Sequence, residues 1–382
     1  MCNTKNSKVS LDTSNKLRVL FLPNWKVQRC NEAPKDKQPP DYYIEGEDYW
    51  FFRYFENKPV VDIIDVSSFK WLENFEKNKI RFYIIQAIKV IPKLSKYDIV
   101  MSHGMQSGIV IALWRRFFKS KTRHIVFDIG SFNSAAENGT ALKLMRFASK
   151  SIDGIIYHTS SQKEYYKQFF PWIVDKSQFI KFGTDYDYFC EENGNFPETI
   201  ARQNQEIGCK KEYCICIGYT KRDWDTLVDA FQMTNIKNLR LLLVGHVDDK
   251  YSGIPNIEQV GFVDIQELKR LITDAKFCVL PLKSYNYSYG QMTLMQQMAM
   301  GKCVIAAKVP SLVDYVENRK TAILYNPEDA DELAEIITEI DGNEALRSSI
   351  SNNAVSYIKI VNNEKIMAKD IEKTCKAILT GI

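Results

Sequence analysis

Two hydrophobic periods alternate along this 382-residue chain. Short apolar runs of strand length lie at Leu17–Leu22, Val60–Val66, Ile99–Ser102, His124–Phe127 and Gly154–Thr159. Between them, apolar residues recur at every third or fourth position over Lys79–Leu94, Gln106–Phe118 and Leu142–Ser149, which predicts helices. The segment Cys190–Gly208 is polar and irregular and reads as a hinge. The alternation then resumes, with strands at Tyr213–Ile217, Leu239–Gly245, Glu258–Gly261, Phe277–Leu280, Val304–Ala307 and Ala322–Tyr325. Helices are predicted at Asp225–Phe231, Leu268–Ala275, Asp329–Ile340 and Glu364–Leu379. Continuous apolar strands alternating with helices predict mainly parallel sheets covered on both faces, here an α/β chain of two Rossmann-like halves.

The composition fits that picture: at 45% hydrophobic content, a chain of 382 residues buries two cores. Its nine cysteines are scattered and odd in number, which points to a reducing compartment rather than a disulfide scaffold. His103, His124, His158 and His246 lie far apart, and none has ligand spacing with a cysteine, so no metal site is expected. Met1 to Asn15 is polar, and no apolar run approaches the roughly 18 residues of a spanning helix, so a cytoplasmic protein is expected.

The net charge of +4 is too small to imply a nucleic acid partner, but it is unevenly spread. Trp114–Arg123 packs five basic residues and three aromatics into ten positions. One reading is a helix end on an anionic membrane surface, a peripheral attachment to the inner face of the plasma membrane. The other is a helix end whose cations favour its negative dipole end.

The most informative stretch is Val260–Ala306. It predicts two strand–helix units, the second with a strand ended by Pro281 and a helix opening at Gly290. Such a helix start, at the carboxyl end of a strand, aims unpaired N–H groups at an anionic ligand. Val260-Gly261-Phe262, Leu268 to Ala275, Pro281, Gly290, Met298-Ala299 and Gly301-Lys302 resemble the donor-binding half of glycosyltransferase family 4, retaining nucleotide-sugar transferases of the GT-B architecture. The likeness continues through Val309-Pro310 to Val316, Ala322–Pro327 and Asp329–Ile340. It is specific over Gly183–Ile340, with Gly183-Thr184-Asp185 similar to the turn before the family's interdomain linker.

The resemblance implies two Rossmann-like domains facing a central cleft: 1–188 for the acceptor and 189–363 for the donor, with the helix 364–382 crossing back to the first. It implies a metal-independent hexosyltransferase, with no cofactor. The donor is a nucleotide diphosphate-sugar, a UDP-sugar in preference to a GDP-sugar. The acceptor is a glycan or lipid-linked acceptor of cell-surface polysaccharide or glycoconjugate synthesis. Gly218 to Trp224 resembles the family loop that sets cations against the diphosphate, so Lys221 and Arg222 are the expected catalytic cations. Where the family carries a further arginine, this chain has Tyr219, and the family's acidic pair is replaced by Ser288 and Gln296. Gln296 still offers hydrogen bonds to a ribose diol, though without charge.

Gly218, Tyr289, Gly290, Gln291, Met292, Thr293 and Gln296 are thus the expected donor-binding residues. Asp128 follows a strand where the family often has a sugar-facing histidine; it is expected either to act at the cleft or to cap the next helix. His103, Asn24 and Trp25, at the ends of strands, are expected on the acceptor side. The aromatic run Asp41–Phe55 reads either as an acceptor loop or as packing. Asp185-Tyr186-Asp187 has the two-acid spacing of a metal-bound diphosphate site, but falls on the interdomain turn and is set aside. Two other readings stay open: a catalytically silent GT-B binding subunit, and a nucleotide-sugar epimerase.

Overall fold

The computed structural model describes residues 16–67, 69–80, 82–130, 132, 137–190, 212–218, 220–245 and 248–381. The expected hinge after Cys190, Tyr219 and His246 lie outside the described residues. Two six-stranded sheets, every strand pair parallel, carry the two halves.

The first half holds β1 (Arg18–Leu22), the three-residue pair β2 (Gln28–Cys30) and β3 (Tyr42–Ile44), and β4 (Val60–Ile63). It continues with β5 (Ile99–His103), β6 (Arg123–Asp128), β7 (Gly154–Tyr157) and β8 (Ser177–Phe179). The second comprises β9 (Glu212–Ile217), β10 (Leu239–Val244), β11 (Ile257–Val260), β12 (Phe277–Leu280), β13 (Val304–Ala307) and β14 (Ile323–Tyr325). The sheet orders are β4-β1-β5-β6-β7-β8 and β11-β10-β9-β12-β13-β14, with β2 and β3 forming a small separate sheet. The direction of strand succession reverses between β1 and β5, and between β9 and β12. A crevice opens at such points because the following loops diverge to opposite faces. Pro23-Asn24-Trp25 and Gly104 leave the first reversal; Gly218 and Pro281 leave the second.

The central strands are buried on both faces, as their uninterrupted apolar sequences require. The helix Glu364–Thr380 returns to the first half, where Met367, Ala368, Ile371 and Cys375 pack in one core with Val19 and Phe21 of β1. The helix expected over Lys79–Leu94 is instead broken. A helix Lys70–Phe75, a wide π turn, a helix Ile84–Val90 and a 3-10 turn Ile91–Lys96 follow one another. Pro92, at the head of the last turn, has no N–H to extend the α-helix. In the run Asp41–Phe55, Tyr49, Trp50, Phe51, Phe52 and Phe55 are core residues of the first half.

Candidate active site

At the end of β9, Gly218 has φ 127°, and a Cβ there would lie 2.5 Å from the guanidinium of Arg222. The backbone therefore runs against the guanidinium in a way only glycine permits. Arg222 Nε donates to the Ile217 carbonyl at 2.7 Å and Nη2 to Thr293 Oγ1 at 3.1 Å. Its own backbone bridges to Leu282, and Asp223 N donates to the Pro281 carbonyl at 3.0 Å. Burial pulls its pKa down, yet an arginine stays charged. A cation is thus fixed between the loops that follow β9 and β12.

The helix Gln291–Ala299 starts at Gly290, φ 81°, with no side chain capping its first turn. Its leading N–H groups and positive dipole end are presented to the cleft. Gly290 presses on Leu282, where a Cβ would meet the side chain at 2.6 Å.

Lys221 is placed differently from Arg222. It has φ 60°, and its ammonium sits 3.8 Å from the ring centre of Tyr287 and 5.1 and 5.4 Å from those of Tyr285 and Tyr289. It also donates to the Tyr287 hydroxyl. This aromatic cage holds the cation by its ring faces, and burial lowers its pKa. Tyr287 in turn lies against Gly130 of the first half, where a Cβ would come within 2.9 Å of it. Neighbouring bonds also cross the cleft: Ser161 to Asn286 at 2.8 Å, Ser160 to Asp314 at 2.8 Å and Gln291 to Thr159 at 3.2 Å.

Two cavities adjoin residues that Arg222 touches. The larger, about 580 Å³, is lined on the second half by Gly218, Gly245 and Phe262–Ile265, and on the first by Lys26, Lys37 and Gln38. Phe262 is 90% exposed there, an open ring face for a planar ligand. The smaller, about 400 Å³, is lined by Trp25, Trp50, His103, His158, Phe182 and Ser288–Thr293. Gly218 lines one and Thr293 the other, and the guanidinium touches both.

The expected donor residues Tyr289 to Thr293 and acceptor residues Trp25 and His103 therefore share the smaller cavity. Asn24 supports it from behind, its Oδ1 lying 3.2 Å from His103 Nδ1. Gln296 bonds to Gln38 across the cleft at 3.1 Å, and Ser288 accepts from Gln291 at 2.8 Å. His158 and Phe182 are not expected there from the sequence, whereas Trp50 belongs to the run Asp41–Phe55, read either as an acceptor loop or as packing. His158 stands one residue beyond β7, and a polar residue at the carboxyl end of a parallel strand was the available signal. Burial lowers His103 to about 3 and His158 to about 4, so both rings are neutral.

Asp128 does not face the cleft. It is fully buried, with Oδ1 accepting from Gly130 N at 2.9 Å and Phe132 N at 3.3 Å, and Oδ2 from Gln162 Nε2 at 2.9 Å and Tyr166 OH at 2.5 Å. The carboxylate holds the loop after β6, which corrects its expected role at the reacting sugar. Asp185 caps the turn Tyr186–Phe189 and pairs with Arg53 at 2.6 Å, while Asp187 pairs with Lys365 at 3.2 Å. Among the described residues, no three of His, Cys, Asp and Glu are grouped so as to hold a metal ion.

Arg53 links Asp185 to Glu364, 2.9 Å away, and Glu364 also accepts from Trp50 Nε1 at 3.0 Å. Burial outweighs the Arg53 charge, and Asp185 adds repulsion, so the Glu364 carboxyl rises from an ordinary 4.5 to about 7. The folded chain then holds this proton more tightly than the unfolded chain. The resulting stability is complete below the ordinary value and is lost as pH rises towards 7. Replacing Glu364 with Gln, which does not titrate, is expected to abolish this component. Thermal melts at pH 5 and pH 7.5 should show the wild type losing ground to Glu364→Gln at the higher pH. A difference independent of pH would show that Glu364 does not titrate in this window.

The basic segment lies away from this site. The helix Met105–Phe117 begins after β5 at its cleft end, so Trp114–Arg123 falls at the opposite edge of the sheet. Arg115 and Arg123 pair with Asp153 at 2.8 and 3.2 Å, and Arg116 stacks on Phe147. Phe117 and Phe118 are exposed. Among the described residues no helix is long and apolar enough to cross a membrane.

Residues 211–342 match the family model for glycosyl transferases group 1. That stretch, about a third of the chain, is similar to a group 1 glycosyltransferase domain. An uncharacterized glycosyltransferase of Methanocaldococcus jannaschii is 26% identical over 147 residues, 37% of this chain; the match spans only 41% of that relative's length. The fold is GT-B throughout. A glycosyltransferase from Rickettsia africae superposes with a TM-score of 0.69 at 15% identity, over 96% of this chain and 100% of that one. Anabaena HepE, solved with UDP, superposes at 0.68 and 14% identity, over 94% and 100%. Sucrose-phosphate synthase of Thermosynechococcus elongatus does so at 0.67 and 18%, over 96% and 100%. The group 1 match covers both loops that grip Arg222, so the cation and the helix start belong to the family-like half.

Proposed function

We propose that the chain is a retaining, metal-independent glycosyltransferase that moves a hexose from a nucleoside diphosphate donor, a UDP-sugar, to a glycan or lipid-linked acceptor of cell-surface polysaccharide or glycoconjugate synthesis. One observation carries the reading: a fixed guanidinium, beside an uncapped helix start, lies against Gly218 of a nucleotide-sized cavity and bonds to Thr293 of a sugar-sized one. A diphosphate is the group that sits between a nucleoside and a sugar, and both neighbours favour negative charge there. Anabaena HepE, solved in complexes with UDP and with UDP-glucose, gives the donor class indirect support.

As the donor's C1–oxygen bond breaks, charge grows on the diphosphate, where Arg222 and the helix start act most strongly. The acceptor oxygen bonds to C1 on the same face, and its proton passes to an oxygen of the departing diphosphate. Lys221 supplies a second charge once it leaves its tyrosine cage. The test is to titrate the protein with a panel of nucleotide sugars and follow slow donor hydrolysis. Binding without hydrolysis or transfer supports the second reading, a catalytically silent subunit, which Ser288 and Gln296 in place of the family's acidic pair favour. Binding of none refutes both.

Activity is expected to survive EDTA, because cationic side chains and the helix start do the neutralising. Loss of transfer with chelator, restored by magnesium or manganese, would overturn this. For the membrane we propose contact through the exposed members of the basic stretch, Arg116, Phe117, Phe118, Lys119 and Lys121. Arg116→Glu, Lys119→Glu, Lys121→Glu is expected to abolish salt-sensitive co-sedimentation with phosphatidylserine-rich vesicles. Arg115 is left intact because it is paired with Asp153 at 9% exposure. Equal sedimentation of both proteins at low salt would remove the membrane contact.

A further inference from the structure

We infer that His158 accepts a hydrogen bond from a hydroxyl of the donor's sugar and so helps set which sugars the smaller cavity takes; this rests on the donor reading above. His158 lines that cavity, yet it is only 1% exposed, and its Nε2 has no hydrogen-bond partner among the described residues. Buried polar atoms are nearly always paired, so such an atom beside a cavity points to a missing ligand group.

The chemistry of that group follows from the other nitrogen. Nδ1 lies 2.7 Å from the Ile180 carbonyl, which only accepts, so Nδ1 carries the proton and Nε2 is left with a lone pair. Burial keeps the ring neutral. Nε2 therefore neither attracts a phosphate oxygen nor donates to one; it calls for an O–H or N–H. The ring is also fixed in place. It stacks near Phe127 at 6.1 Å, meets Phe182 edge-on at 5.3 Å, and the His158 carbonyl accepts from the Tyr315 hydroxyl at 2.7 Å.

The opposite wall of the cavity, Ser288–Thr293, contains the helix start, which presents donors. A sugar between the two walls meets donors on one side and a lone acceptor on the other. Trp25 and Trp50 line the same space and offer aromatic faces to its C–H groups. The position also has a reason in the sheet. Asp128, where a sugar-facing side chain was expected, pairs in register with Tyr157 and is turned inward. His158 is the residue just beyond the neighbouring strand, and it lines the cavity that Asp128 does not.

The test uses the whole chain and isothermal titration with UDP, UDP-glucose, UDP-galactose and UDP-N-acetylglucosamine. His158→Phe keeps a ring between Phe127 and Phe182 but removes the acceptor, and His158→Gln restores one. UDP is expected to bind all three proteins within about twofold. The preferred sugar nucleotide should weaken about tenfold in His158→Phe and recover in part in His158→Gln, the scale of one buried hydrogen bond. Equal weakening of UDP and sugar nucleotide, or no weakening of either, would overturn the assignment and leave the donor site standing. Should His158→Phe not fold, the wild type is titrated with donors lacking one sugar hydroxyl at a time, and equal binding of all of them has the same meaning. A wild type that binds neither UDP nor any of the three sugar nucleotides would refute the donor reading itself, and this inference with it.

Discussion

Arg222→Ala is expected to lower transfer by about 10²- to 10³-fold, the usual loss when one preorganised charge partner of a reacting oxygen is removed. The protein should stay folded. The substitution forfeits the bonds to the Ile217 carbonyl and the Thr293 hydroxyl, about 1 kcal/mol each, so the melting temperature should fall by only several degrees. Steady-state turnover and a thermal melt of the same preparation separate the two effects. Arg222→Lys should fall between, because an ammonium restores the charge without reaching both Ile217 and Thr293. Turnover near that of the wild type in a folded Arg222→Ala protein would remove this residue from the chemistry.

Gly183→Ala is expected to have the opposite signature, a large loss of stability with the site's chemistry untouched. A Cβ at Gly183 would lie 2.3 Å from the Asn363 carbonyl oxygen, 2.4 Å from its carbon and 2.7 Å from Glu364 N. All three are backbone atoms and cannot rotate away. Forcing the strands apart should cost roughly 3 kcal/mol and lower the first thermal transition by about 6–10 °C. An unchanged melt would mean that the two segments separate without cost. Gly154→Ala offers a control: its Cβ would meet only the end of the Ile378 side chain, at 2.3 Å, which can turn aside.

The architecture was readable because its signals are local. Runs such as Cys214–Ile217 and Phe277–Leu280 are buried on both faces, so their sequences are apolar without interruption. Ser177–Phe179 was not readable, since three half-exposed residues carry no pattern. The Gly218–Arg222 loop and the Gly290 helix start were legible for the same local reason: glycine and cation spacing follow from the backbone they serve. Asp128 was misplaced because its fate depends on Gln162 and Tyr166, one helical turn apart on another element, whose polar ends reach it from below. His158 was invisible as a site residue because nothing near it in sequence shows that Nδ1 is occupied and Nε2 is not. Lys221 is expected from the sequence as a cation against the diphosphate, and only the fold brings Tyr285, Tyr287 and Tyr289 round it.

The chain passes near Thr184 towards the second half and returns at Asn363, and there the two passages pair in parallel, with Glu364 N donating to the Thr184 carbonyl at 3.0 Å. Strands bound side by side behave as one narrow strap, which bends readily across its width and resists twisting. Rotation about a line near Gly183 would be the relative motion of the halves that such a strap resists least. In such a rotation every atom travels in proportion to its distance from the line. Phe182, next to the strap, wall of the smaller cavity and held through its N–H by the Tyr315 hydroxyl at 2.9 Å, scarcely moves. Lys26 and Phe262, on facing lips of the larger cavity, lie off the strap and travel further. A rotation of one half against the other about this strap would thus shift the lips of the larger cavity more than the wall at Phe182.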